Sequence, residues 1–189
     1  LRSLLGELFP ANKFCARKLN DAGITFDVAS LEDFSARFPF TTKQELVDDQ
    51  LRNPPFGTNL TYPLNRYTRF NQTSGTTGTP LRWLDTPESW DWMLESWTKI
   101  FRTAGVRMGD RVFFAFSFGP FIGFWASVDG ARQISAMMIP GGGRDSLQRL
   151  ELMRDTGCTA LCCTPTYALR LAEVARESGF DMSQIPVRA

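Results

Sequence analysis

The chain opens on an amphipathic pattern. Leu1, Leu4, Leu5 and Leu8 recur at i, i+3, i+4 and i+7, one face of a helix that Pro10 would end. A second, more polar helix is expected over residues 12–22, with Gly23 as its stop. Thr41 with Gln44, or Thr42 with Glu45, then has capping-box spacing for a helix reaching about Gln50. Residues 53–63 are rich in proline, glycine and asparagine and read as a loop. Short strands follow at residues 66–72 and 81–84.

From Pro87 onward the rhythm becomes regular. Thr86 caps a helix with Pro87 at its first position, and Trp90, Met93, Leu94, Trp97, Ile100, Phe101 and Ala104 keep the helical period until Gly105 closes it. The run 112–118 is almost continuously apolar, as a strand buried on both faces should be. A helix over about 121–131 and a strand at 134–139 come next. The Pro140-Gly141-Gly142-Gly143 turn then opens a helix carrying Leu147, Leu150 and Met153. Residues 159–163 make another apolar strand, and Thr164 and Pro165 start a last helix stopped by Gly179. The alternation of helix and strand predicts an α/β fold, a partly parallel sheet flanked by helices.

Composition narrows the functions open to such a fold. The 189 residues carry 43% hydrophobic and 22% charged side chains with a net charge of +1, ordinary for a globular protein and without the basic footprint of a nucleic-acid binder. No apolar run approaches the ~18 residues that a membrane helix needs, and the first residues lack a signal-peptide core, so a cytoplasmic protein is expected. Cys15, Cys158, Cys162 and Cys163 show no Cys-x-x-Cys spacing and there is no histidine, which argues against a metal site and removes the usual general base. The chain starts at Leu1 without methionine and stops at Ala189 just after a helical pattern closes, so it reads as a fragment.

Candidate chemistry concentrates in residues 73–80, Thr-Ser-Gly-Thr-Thr-Gly-Thr-Pro. Hydroxyls combined with backbone N–H groups that glycine leaves uncovered form concave nests for phosphate oxygens. The Gly-x-x-x-x-Gly-Lys-Ser/Thr pattern is absent, and strands on both sides replace the strand-loop-helix context of a Walker ATPase. Arg69 and Arg82 flank the loop, though strand arginines read first as solvated.

The octapeptide resembles the phosphate-binding signature of the adenylate-forming superfamily. Its neighbours narrow the resemblance: Phe38-Pro-Phe-Thr-Thr-Lys-Gln-Glu-Leu46, Ala104-Gly-Val-Arg-Met-Gly-Asp110, Phe116-Ser-Phe-Gly-Pro-Phe-Ile-Gly123, Ile139-Pro-Gly-Gly-Gly143 and Thr164-Pro-Thr-Tyr167. In this order they are similar to the phenylacetate-CoA ligase branch, over nearly the whole chain. The resemblance implies that an acid carboxylate attacks the α-phosphate of ATP to give an acyl-adenylate, and that coenzyme A thiol then displaces AMP. It implies that Thr73, Ser74, Gly75, Thr76, Thr77 and Gly78 hold the β- and γ-phosphates. It makes Phe116 and Phe121 candidates for an aryl-acid pocket, although phenylalanine and serine stand at Phe116 and Ser117 where the family has tyrosine and glycine. Gly141, Gly142 and Gly143 would let backbone approach the acyl-adenylate, and Tyr167 reads as a packing residue.

By the same resemblance the chain is the first part of a large N-terminal domain. Residues 1–65 would be a helical lead-in and loop, 66–85 a strand-loop-strand, and 86–181 an alternating core, with the C-terminal domain absent. The Mg2+ ligand and the adenylation lysine would then lie outside it, no catalytic residue or metal ligand is assigned, and the chain alone is expected to be inactive. The expected partners are ATP, coenzyme A and a small aromatic acid, with no nucleic acid or membrane and with room for a homodimer. Two alternatives stay open: an adenylyltransferase that passes AMP to a hydroxyl acceptor, and a non-catalytic nucleotide-binding or interaction protein.

Overall fold

A computed structural model of the chain describes residues 1–25, 28–75 and 78–189. By contacts it falls into two compact units, Leu1–Pro87 and Glu88–Ala189.

The first unit begins with helices α1 (Arg2–Ala11) and α2 (Lys13–Asp21). Pro10 lies inside α1, in its last turn. A proline deletes one backbone donor, so the helix runs on to Ala11 and ends where Asn12 turns extended to cap α2, its side chain accepting from the Cys15 N–H. Helix α3 (Leu31–Arg37) follows, capped by Ser30, whose hydroxyl accepts from the Asp33 N–H. In α4 (Lys43–Arg52) the structure selects Thr42 and Glu45 as the capping box. Strands β1 (Arg69–Gln72) and β2 (Arg82–Asp85) pair antiparallel, Arg69 opposite Asp85 and Gln72 opposite Arg82. The buried apolar side chains among the described residues here are Leu5, Phe14, Leu19, Ile24, Val28, Val47 and Leu81, joined by polar Asn12, Asp49, Asn71, Asp85 and Thr86.

The second unit is a three-layer α/β sandwich. Helix α5 (Pro87–Thr103) leads to strand β3 (Arg111–Phe114), and the chain continues through α6 (Ile122–Gln133), β4 (Met137–Pro140), α7 (Ser146–Asp155), β5 (Ala160–Cys162) and α8 (Pro165–Ser178). The three strands are parallel in the order β4-β3-β5. Successive residues of β3, and Ala115 just after it, face opposite sides: Val112 and Phe114 pack with Phe101, Val128 and Ala131 of α5 and α6, while Phe113 and Ala115 pack with Leu150, Met153 and Leu171 of α7 and α8. Phe113 and Phe114 are wholly buried, each contributing about 2–3 kcal/mol of apolar transfer. Beyond β5, the Arg188 N–H donates to Thr159 O (3.0 Å) and the Leu161 N–H to Ala189 O (2.9 Å), so residues 187–189 run along the outer edge of the sheet.

The expected strand over 112–118 is shorter in the structure. Its partner β4 ends on Pro140, opposite Phe114, the Gly141 N–H adds one last bond to Phe114 O, and Phe118 turns to a φ of +28°. Residues 115–118 therefore leave the sheet at its carboxyl end, the edge at which open α/β sheets bind ligands.

Candidate functional site

The hydroxyl-glycine stretch is the tip of the β1–β2 hairpin. Its neck is fastened twice: the Thr73 N–H donates to Leu81 O (2.9 Å) and the Leu81 N–H donates to Thr73 Oγ1 (2.9 Å). Thr73 is thus half-buried and spends its oxygen holding the loop closed, whereas Ser74 and Gly78 are exposed. The Gly78 N–H donates to Gly75 O (3.0 Å), and Gly75 itself sits at a φ of +68°. A Cβ at Gly75 would meet Pro80 Cγ at 2.7 Å, so the loop folds back on its proline in a way only glycine permits. Thr76 and Thr77 lie outside the described residues.

Helix α4 braces this hairpin. The Gln50 side chain pairs with both backbone groups of Arg82, accepting from its N–H (3.0 Å) and donating to its O (2.7 Å), as a neighbouring strand would. The Arg82 guanidinium donates to Pro55 O (2.8 Å), so its charge serves the adjoining loop. The next residue back, Asp49, is buried and accepts from the Thr58 N–H and hydroxyl and from Arg17. Burial alone would raise its pKa, but these donors outweigh it and hold the carboxylate below its ordinary range. Behind the loop lies a cavity of about 220 Å³ lined by Val47, Gln50, Leu51, Gln72, Thr79, Pro80 and Arg82.

In the second unit the candidates gather at the carboxyl end of the sheet. Phe116 stacks on Phe124 (centroids 4.3 Å apart, planes 17°) and Phe121 meets the same ring edge-on (5.4 Å, 78°), so the two pocket candidates share Phe124 between them. The Trp125 indole, 5.3 Å from the Phe118 ring, donates to Gly119 O (3.0 Å) and fixes the segment's return. The Gly141 N–H donates to Phe114 O (2.8 Å), and a Cβ there would collide with the Phe113 ring at 2.7 Å and Phe114 O at 2.8 Å. Gly142 lies against Phe116, its virtual Cβ 3.4 Å from Phe116 O, and Gly143 takes a φ of +71°. Phe116 and the glycine turn are thereby neighbours.

Sequence reasoning missed Arg149. It is 6% exposed, donates from Nε to Gly141 O (2.8 Å) and from Nη1 to Ala115 O (3.3 Å), and lies 5.0 Å over the Tyr167 ring. The Tyr167 hydroxyl is 3.0 Å from Ser146 Oγ. The available signal was its spacing: Arg149 stands beside Leu150 and four residues before Met153, a charge on the apolar face of α7.

Nearby thiols are poor nucleophiles. Burial pushes Cys162 up to about 11, the hydrogen bond with Ser127 offsetting only part of it. Among the described residues no group of three or more Cys, Asp or Glu side chains could hold a metal ion.

No family model matches the chain. It is 32% identical over 166 residues to phenylacetate-coenzyme A ligase of Pseudomonas putida, and 33% identical over 178 residues to that of Escherichia coli strain K12, spans that cover 86% and 91% of the chain. In fold it superposes on the structure of 2-hydroxyisobutyryl-CoA ligase in complex with 2-HIB-AMP and CoA in the thioesterification state with a TM-score of 0.92 and 30% identity, over 99% of this chain and 40% of that one. Over nearly its whole length the chain is similar to phenylacetate-CoA ligases and to part of an adenylate-forming CoA ligase. It spans under two fifths of those two curated relatives, 36% and 38%. An open-conformation structure of the same 2-hydroxyisobutyryl-CoA ligase matches it at a TM-score of 0.91 and 28% identity, over 98% of this chain and 44% of that one.

Proposed function

We propose that the protein to which this chain contributes activates a phenylacetate-like aromatic acid with ATP and transfers the acyl group to coenzyme A. A carboxylate oxygen attacks the α-phosphorus and pyrophosphate leaves; the coenzyme A sulfur then attacks the acyl carbon, AMP leaves, and the thiol proton passes to solvent. Thr73, Ser74, Gly75, Thr76, Thr77 and Gly78 hold the β- and γ-phosphates, where donors aimed at oxyanions stabilise the departing pyrophosphate. Phe116, Phe121, Gly141, Gly142 and Gly143 line the acyl group's surroundings. Such chemistry needs positioning and charge stabilisation more than a histidine base, which suits a chain that has none.

The observation that carries this reading is the glycine-dependent hairpin loop within a sequence at 32–33% identity to phenylacetate-CoA ligases. A compact aliphatic acid is the second reading, favoured by the likeness to 2-hydroxyisobutyryl-CoA ligase and by Phe124 filling the space between Phe116 and Phe121. Acid-dependent ATP–pyrophosphate exchange separates the two. The polypeptide encoded by the complete reading frame should exchange with phenylacetate and consume coenzyme A, and exchange with 2-hydroxyisobutyrate alone would overturn the aromatic assignment. The 189-residue chain by itself should stay at blank.

A further inference from the structure

A buried guanidinium is costly unless something compensates it, and an acid partner is the usual solution. Arg149 has none: among the described residues no carboxylate lies within ion-pair distance of it, although it is 6% exposed. Its donors go instead to two main-chain carbonyls, Gly141 O and Ala115 O, and its charge lies over the Tyr167 ring. Those contacts are not scattered. Gly141 is the first residue after β4, Ala115 the first after β3, and Tyr167 stands in the first turn of α8, five residues after β5. One side chain is therefore fastened to the exits of β3 and β4 and packed on the first turn of the helix that follows β5.

The neighbouring amides show what this fastening completes. The Gly141 N–H already donates to Phe114 O (2.8 Å) and the Ala115 N–H to Cys162 O (3.1 Å), the last hydrogen bonds of the sheet. Past them the ladder stops, and the Gly141 and Ala115 carbonyls would be left for water. Arg149 takes them both. A well-packed apolar residue commonly stabilises a core better than a buried charge, so a cation here is better explained by the geometry it imposes than by stability.

We infer that Arg149 is a positioning residue, holding the Gly141–Gly142–Gly143 turn and the Phe116 segment in the arrangement that receives the acyl group. The inference rests on the reading of these residues as the acyl surroundings. Arg149 touches no reacting atom; it acts through the two carbonyls.

The test compares Arg149→Met, Arg149→Lys and Tyr167→Phe. Methionine keeps bulk and removes both hydrogen bonds; lysine keeps the charge but reaches one carbonyl at a time. In the 189-residue chain, amide exchange at Ala115 and Gly141 should quicken on the order of tenfold in Arg149→Met, with α6 amides unchanged, and by less in Arg149→Lys. In the polypeptide of the complete reading frame, Arg149→Met should raise KM for the acid on the order of tenfold or more while KM for ATP stays within about twofold, because displaced binding groups misplace only what they contact. Tyr167→Phe keeps the ring face and should behave as wild type in both. Wild-type exchange at both amides in Arg149→Met, or a uniform quickening across the unit, overturns the fastening whether or not the enzyme turns over. Local quickening with an unchanged acid KM overturns the positioning role. A wild-type protein that exchanges pyrophosphate with no acid overturns the assigned activity and with it the acyl role, and the amide measurement still decides the fastening.

Discussion

Replacing Gly75 by alanine tests the phosphate loop at its tightest point. Gly75 adopts a φ of +68°, where an L side chain costs about 1–2 kcal/mol. The added methyl would also stand 2.7 Å from Pro80 Cγ, 3.0 Å from Gly78 O and 3.1 Å from Pro80 Cδ, and overpacking of this kind costs roughly 1–3 kcal/mol. Strain in an exposed loop is relieved by opening it, so the free protein escapes most of this cost and ligand binding, which needs the closed shape, incurs it. At about 1.4 kcal/mol per tenfold, Gly75→Ala should weaken MgATP and pyrophosphate binding by roughly 30-fold or more with little loss of thermal stability. Two of the three contacts belong to the Pro80 ring, so Gly75→Ala with Pro80→Ala should recover about tenfold, leaving the φ penalty and the contact with Gly78 O. Titration calorimetry and thermal unfolding of the polypeptide from the complete reading frame measure both quantities. Binding within twofold of wild type in Gly75→Ala would refute the loop's role, and a double variant no better than the single would refute the steric cause.

Two other outcomes follow from charge and burial. Burial raises the Asp110 carboxyl, but the Arg107 N–H, Arg188 and the Thr159 hydroxyl more than offset it and bring the pKa down from 3.8 to about 2. Because the folded value lies below the unfolded one, this stabilisation is complete above about pH 4 and lost as pH falls toward 2; about 1–2 kcal/mol of acid dependence in urea midpoints should vanish in Asp110→Asn, and an unchanged slope would contradict the network. Cys162, pushed up to about 11, and the buried Cys158 should resist iodoacetamide at pH 8 in the folded chain and react once urea exposes them; rapid labelling of the native protein, read by mass spectrometry, would refute the burial described for them.

What the sequence made legible is what rests on local chemistry. The Thr42/Glu45 box, Pro87 at the head of α5 and Gly179 at the tail of α8 are caps, fixed by a few neighbouring atoms, and the helices stand where those caps put them. The parallel sheet was legible because β3 needs apolar side chains on both faces. Helix α3 was missed: its seven residues bury none of their side chains, so it has no apolar stripe to read. The end of β3 was misjudged because the apolar run continues to Phe118, whereas ladder bonds depend on a partner strand that stops at Pro140. The phosphate loop was visible as a composition, but its dependence on Gly75 is a distance to Pro80 that no spacing rule contains. Arg149 was invisible for a related reason. Its partners are carbonyls 8 and 34 residues away, and a main-chain oxygen leaves no mark in a sequence.

The short segment along β5 bears on how this polypeptide behaves at high concentration. An uncovered edge strand presents a row of unmet donors and acceptors that any extended peptide, including another copy, can pair with. Here Thr159 O and the Leu161 N–H are taken up by Arg188 and Ala189, and the Arg188 guanidinium anchors that segment to Gly105 O and Asp110. Trimming the polypeptide after Ile185 would bare a sticky margin and also remove Arg188 from Asp110 and Ala189 from the core cluster it packs against. Precipitation of such a shortened protein would then report on edge pairing, and soluble preparations should retain residues 187–189.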